Sequence, residues 1–252
     1  MSDGRSRAEI AERGVNDRRT NSNVPFSGAE RRAVYRAIHE RRDIRSHFLP
    51  DQVPPDVLGR ILDAAHHGPS VGFMQPWDFI VIRDPAVRLA VRDCFVEANR
   101  RAAEIYDGER RALYDSLKLE GLREAPVHLC VTCDRLRQKG SGLGRQTDPS
   151  TDLYSTVCAV QNLWLAARAE ELGVGWVSIL DFDALRKQLG IPSHVVPVAY
   201  LCIGYVSEFP ANPTLESAGW ETREGLGHLL HFDRWNSRDE SLAAEFVNAA
   251  GR

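Results

Sequence analysis

The sequence predicts a single α+β domain. Helical spacings outnumber strand-like runs, the strand-like runs are separated by helices, and no convincing linker interrupts residues 27–235. A chain of 252 residues can bury a sizeable core without disulfides or a structural metal. Hydrophobic residues make up 43% and charged residues 27%, the balance of a soluble globular protein.

Residues 1–25 are charged, polar and almost free of large apolar side chains. They lack the surface needed to offset the entropy of ordering and read as a disordered tail. Order begins at Ser27-Gly-Ala-Glu30, which has the form of a capping box, with Val34, Tyr35 and Ile38 at helical spacing behind it up to Arg41. Pro54-Pro55-Asp56 opens a second helix with Val57, Leu58, Ile61, Leu62 and Ala65 on one face, and Gly68-Pro69 ends it. The apolar run Phe79–Ile82 marks a strand from Trp77 to Arg83, and Asp84-Pro85 starts a helix toward Ala103. Residues 106–121 predict a helix with loops, Val127–Cys133 a strand, and the glycine-rich stretch Gln138–Pro149 an exposed, mobile loop. The strongest helix runs from Asp152 to Glu171 and is apolar over much of its circumference. Gly173 is expected to stop it and Gly175–Ile179 to form a strand; a short helix over Asp183–Leu189 and a strand over Val195–Val206 follow. The folded domain is expected to span 26–236, with a polar helix and tail over 237–252.

Several function classes are excluded. The 32 Lys and Arg stand against 35 Asp and Glu, a net charge of −3, so nucleic-acid binding through global charge is not expected. No apolar run is long enough to span a bilayer, and the N-terminus has no apolar signal core. Five cysteines, an odd number, suit free thiols in a reducing cytoplasm. Cys130 and Cys133 lack the second ligand pair that zinc needs, and three residues apart on a strand they face opposite sides. His66 and His67 diverge by about 100° on a helix, so no metal site is expected. No dinucleotide fingerprint, Walker loop or G-x-S-x-G elbow is present.

Two clusters carry chemistry. Arg41-Arg42-Asp43-Ile44-Arg45 places three arginines at a helix terminus, where they can converge on a phosphate or form a solvated basic face. Gly68-Pro-Ser-Val-Gly-Phe-Met-Gln-Pro-Trp77 is a small-residue loop ahead of a buried strand, able to wrap a planar ligand or simply to connect.

Together the clusters resemble the FMN signatures of the nitroreductase-like flavoprotein superfamily, R-R-S-x-R-x-F followed by P-S-x-x-N-x-Q-P-W, and the Gly173-Val-Gly-Trp176 run is similar as well. The resemblance implies a central mixed β-sheet flanked by helices and a homodimer with FMN at the subunit interface. Asp43 stands where the family has serine, and Phe73 where it has the asparagine at the flavin ring. With Gly175-Trp-Val-Ser178, these departures resemble the flavin-fragmenting branch. That branch uses reduced FMN, FMNH2, as substrate and O2 as co-substrate, and releases 5,6-dimethylbenzimidazole and erythrose 4-phosphate. A separate flavin reductase is implied as supplier. On this resemblance Arg41, Arg42 and Arg45, with Arg223, hold the phosphate, and Ile44 lies within the same flavin-binding motif. Asp43 serves as acid/base, Ser178 meets the N5 region, and Ser70, Gly72 and Gln75 contact the ring and ribityl group. The alternatives are an Asp43 that only pairs with Arg42 or Arg45, a Gln75 that only ties down its loop, and a Ser178 facing the core. At the level of function they are an NAD(P)H-dependent FMN nitro- or quinone reductase and a non-catalytic flavin carrier.

Overall fold

The computed structural model describes residues 24–250; residues 1–23, most of the expected tail, lie outside the described residues. The chain divides into two compact units between His39 and Glu40. The first holds nearly all of α1 (Gly28–Glu40). Its capping box is formed: Ser27 N–H donates to Glu30 Oε2 at 2.7 Å and Glu30 N–H to Ser27 Oγ at 3.3 Å, satisfying two donors that the first turn leaves open.

The second unit is built on a four-stranded sheet of β1 (Trp77–Ile82), β2 (Val127–Asp134), β3 (Leu172–Trp176) and β4 (Val195–Tyr205), in the order β1-β2-β4-β3. All three pairings are antiparallel. The expected mixed sheet is therefore reduced to one parallel bridge, Asp43 to Val174, because the segment beside β3 is too short to make a strand.

Both faces of the sheet are covered. Leu129, Val131, Leu201, Ile203, Leu172 and Val174 pack with Val57, Ile61 and Ala65 of α2 (Pro55–His66) and with Ala159, Val160, Leu163 and Trp164 of α5 (Thr151–Ala169). On the other face Cys130, Tyr200 and Cys202 pack with Val91 and Phe95 of α3 (Pro85–Ala103) and Leu185 of α6 (Phe182–Gln188). The remaining helices are α4 (Gly108–Ser116), α7 (Thr214–Ser217) and α8 (Glu240–Ala250). Cys130 faces α3 while Cys133 bonds Thr156 on α5. Burial pushes the two thiols up, to about 12 and about 11, away from the thiolate form that metals bind. Among the described residues no helix is long and apolar enough to cross a membrane, and no His, Cys, Asp or Glu group is arranged to hold a metal.

Two boundaries differ from expectation. Helix α5 ends at Ala169, and Glu171 at φ 60°, not Gly173, makes the left-handed turn that stops it. Gly173 instead lies inside β3, which runs 172–176 and ends before Ser178. The glycine-rich stretch is fastened as well as exposed. A 3-10 turn at Lys139–Gly142 abuts the one at Val71–Phe73, and a Cβ on Gly140, at φ 80°, would collide with the Gly72 carbonyl oxygen. Arg145 Nη1 donates to the carbonyls of Arg135 at 3.0 Å and Arg137 at 3.3 Å.

His128 is fully buried on β2, with Nδ1 2.8 Å from the Tyr200 hydroxyl. Burial, reinforced by the Arg88 charge, holds its imidazole down to about 3. The unfolded chain thus binds a proton that the folded chain refuses between pH 6.5 and about 3, so this group removes stability as pH falls through that window. Thermal unfolding across pH should give a midpoint that drops on acidification, with a shallower slope from pH 6.5 to 4 in His128→Gln than in the wild type. Parallel slopes would show that His128 takes no part.

Candidate functional site

The arginine cluster forms the core of the site. After α1 the chain lies along β3: Ile44 N–H donates to the Val174 carbonyl at 2.9 Å, and Asp43 bridges the same residue. This approach is possible because β3 carries glycines at alternate positions. A Cβ on Gly175 would collide with the Ile44 carbonyl oxygen, and one on Gly173 would come within 3.1 Å of Ile44 Cγ1 and 2.5 Å of Val206 Cγ1. Ile44 is 2% exposed, so its side chain faces the core and only its backbone is left for the ligand contact expected of it.

Asp43 is held at both oxygens. Oδ1 accepts from the Trp176 N–H at 3.0 Å and Oδ2 from Arg45 Nη2 at 2.7 Å. The alternative of pairing with Arg45 is therefore realised, while the side chain keeps 31% exposure. The Arg45 side chain is 15% exposed, and its Nε and Nη1 are buried without a hydrogen-bond partner among the described residues. Two buried donors on a permanent cation call for an acceptor from outside these residues.

Arg41 lies over the Trp164 ring at 4.8 Å, and Trp164 Nε1 donates to the Arg42 carbonyl at 3.2 Å, so one side chain of α5 seats two arginines. Arg42 donates to the Arg41 carbonyl at 2.8 Å and to the carbonyl of Ala211. Burial lowers the Arg41 guanidinium below its usual range; Asp43 opposes this, and the charges of Arg42 and Arg223 add to it. Arg223 is exposed and within electrostatic reach of Arg41, as is Asp43, the partner of Arg45.

The second cluster docks on the other half of α5. Val71 N–H donates to Ser155 Oγ at 3.0 Å, and Ser70 Oγ accepts from the Gln75 N–H at 3.1 Å. Gln75, at φ 52°, accepts from Arg137 Nη1 through its carbonyl at 2.8 Å and from Lys139 Nζ through its side chain, so it does tie down its loop. Phe73 is 71% exposed at φ 52°, with Lys139 Nζ 4.8 Å above its ring. Ser178 lies exposed two residues beyond β3, not facing the core. Trp77 is buried, as a core aromatic should be, and Trp176 is half-buried against Trp164 at 6.4 Å.

Sequence reasoning missed Arg168. It sits one turn after Trp164 on α5, pairs with Glu40 at 2.8 Å, lies 4.1 Å from the Phe209 ring and has a buried Nε without a hydrogen-bond partner among the described residues. An arginine within an otherwise apolar helical stripe was the available signal. Two concavities, of about 270 Å³ near Gly227 and Ala243 and about 200 Å³ near Phe95 and Glu124, contain none of these residues. The site is read from its donors and its backbone approach.

Residues 38–205 match the model of the nitroreductase family. The 5,6-dimethylbenzimidazole synthase of Rhodospirillum rubrum is 46% identical over 183 residues, covering 73% of this chain and 86% of that protein. The enzyme of the same name from Rhodobacter capsulatus is 40% identical over 196 residues, 78% of this chain and 94% of its own length. The crystal structure of oxidized iodotyrosine deiodinase bound to FMN and 3-iodo-L-tyrosine shares the fold, with a TM-score of 0.63 at 22% identity. It covers 81% of this chain and 99% of that one.

The glycine requirement in β3 gives a direct test. Gly175→Ala should lower stability by about 2–3 kcal/mol or more, since the strap must lift from the strand. Gly59→Ala, on an exposed helical position with nothing within 4 Å of the new methyl, should raise it by about 0.5–1 kcal/mol. Denaturant unfolding of both variants measures the contrast; equal effects would remove the close approach from the account.

Proposed function

The chain belongs to the nitroreductase family, and from that premise we propose that it forms 5,6-dimethylbenzimidazole, the lower ligand of vitamin B12, from reduced FMN and dioxygen. The identity to two synthases of that name over most of the chain supports the product. The observation that carries the flavin phosphate reading is Arg45. Its Nε and Nη1 are buried without a partner among the described residues, it pairs with Asp43, and Asp43 in turn lies within electrostatic reach of Arg41, a set that a dianionic phosphate fits as acceptor.

Reduced FMN, when bound, supplies the electrons that activate dioxygen and the ring and C1′ carbon that become product, so the flavin is substrate rather than recycled cofactor. The protein's part is to hold and orient it. Arg41, Arg42, Arg45 and Arg223 fix the phosphate, and the loop Ser70–Gln75 meets the ring and ribityl group through Ser70, Gly72 and Gln75. Asp43, anchored by Trp176 N–H and Arg45, presents its exposed edge to take and return a proton at the ribityl carbon. The Ser178 hydroxyl, exposed just past β3, serves the N5 region. Because each turnover consumes a flavin, a separate reductase delivers the next. The five free cysteines suit a reducing cytoplasm. A homodimer completes the site: Tyr154 and Val157 leave an apolar flank of α5 exposed, 58% and 42%.

Two experiments test this reading. With oxidised FMN, Arg41→Ala and Arg45→Ala should each weaken binding about ten- to a hundredfold, and riboflavin should bind the wild type poorly. Equal affinity for FMN and riboflavin would take the arginines out of the site. With FMNH2 loaded anaerobically and O2 then admitted, mass analysis should detect dimethylbenzimidazole. Asp43→Asn should still bind flavin but give at least about a hundredfold less product per bound FMNH2, and Ser178→Gly should fall similarly without loss of thermal midpoint. An unchanged yield per bound flavin in Asp43→Asn would leave Asp43 with its pairing role alone.

A further inference from the structure

The segment after β4 lies beyond the stretch that matches the family, and it carries Arg223. Three residues before that arginine, Trp220 is half-buried in an aromatic clasp formed around α4. The Tyr106 ring lies 5.3 Å away and edge-on, and the Tyr114 ring 6.1 Å away. Tyr106 and Tyr114 stack on each other at 5.0 Å, and the Tyr114 hydroxyl donates to Asn99 Oδ1 on α3 at 2.7 Å. Arg110 closes the clasp: its guanidinium lies 3.6 Å from the centre of the Trp220 ring, and its Nη1 donates to the Trp220 carbonyl at 2.9 Å. One side chain is thus gripped by ring faces, by a cation and through its own backbone.

Such a grip suits a segment that must be held where electrostatics would push it away. Arg223 is exposed, and the like charge of Arg41 lies within electrostatic reach of it. An exposed side chain on an untethered strand would swing from like charges into water. We propose that Trp220 is a positioning residue: the clasp of Tyr106, Tyr114 and Arg110 fixes the chain at Trp220 so that Arg223 is presented to the phosphate end of the flavin site beside Arg41. This rests on the flavin reading above, and it makes the interval between α3 and β2 a support for the phosphate clamp.

The test measures binding of oxidised FMN and riboflavin by flavin fluorescence. Trp220→Ala should weaken FMN binding about tenfold, matching Arg223→Ala, and leave riboflavin binding unchanged, because riboflavin has no phosphate for Arg223 to meet. The double variant should bind FMN no worse than Arg223→Ala alone. Trp220→Phe, which keeps an aromatic face, should restore most of the affinity. Arg110→Ala, removing one jaw of the clasp, should show the same FMN-selective loss if the larger change unfolds the segment. Additive losses in the double variant, equal losses for FMN and riboflavin, or no loss for FMN overturn the positioning role. A wild type that binds FMN no better than riboflavin overturns it together with the clamp. Failure to form dimethylbenzimidazole with the FMN-selective losses intact overturns the proposed reaction and leaves the clasp standing.

Discussion

The site depends on how closely residues 43–45 lie on β3. The contact is backbone on backbone, Ile44 N–H to the Val174 carbonyl, with the Asp43 carboxylate closing the next position on the Trp176 N–H. Side chains at 173 and 175 would hold the segment off, and glycines stand at both. Ile44, driven into the core, supplies the apolar burial that keeps the segment down. Its neighbours then have fixed places: Asp43 at the strand edge, Arg45 against it, and Arg41 and Arg42 on Trp164. A flexible terminus with the same residues would present the same charges without a geometry.

That geometry stores electrostatic stress. A protein of net charge −3 brings Arg42 and Arg223 within electrostatic reach of Arg41, and the nearby Asp43 is already paired with Arg45. Partial burial of Arg41 and the donors left open on Arg45 among the described residues are costs that a bound anion would offset. Preorganised donors of this kind pay no reorganisation when the ligand arrives.

Much of this was legible in the sequence. Helices and strands followed from spacing and caps because both sheet faces are buried and the apolar pattern had to satisfy them. The C-terminal end of α5 was misread because two residue types can end a helix: Gly173 looked like the stop, but Glu171 accepted the left-handed turn and freed the glycine for close approach to Ile44. The same slip moved β3 by three residues and put Ser178 on a strand it does not join. The roles of Trp164, Arg168 and Trp220 were not legible, because each depends on partners far away in the chain that no local pattern announces. Asp43 was legible as a departure from the family pattern, yet its partners had to be seen.

The two clusters dock at separate points of one helix. The arginine end docks at Trp164 and the loop end at Ser155, about nine residues and ~13 Å apart along α5. A ligand with an anion at one end and a planar group at the other can lie along that helix, touching both. Along the way it would meet the exposed side of α5 at Tyr154 and Val157. A ligand left on an open flank would keep its ring in water, where reduced flavin loses electrons to oxygen without direction. Chemistry on such a ring needs a further wall, and the exposed Tyr154 and Val157 on the same helix are apolar surface suited to receiving one. On the proposed flavin reading, a second subunit on that flank would be such a wall: α5 is long enough to reach both clusters, and its Tyr154 and Val157 side is exposed.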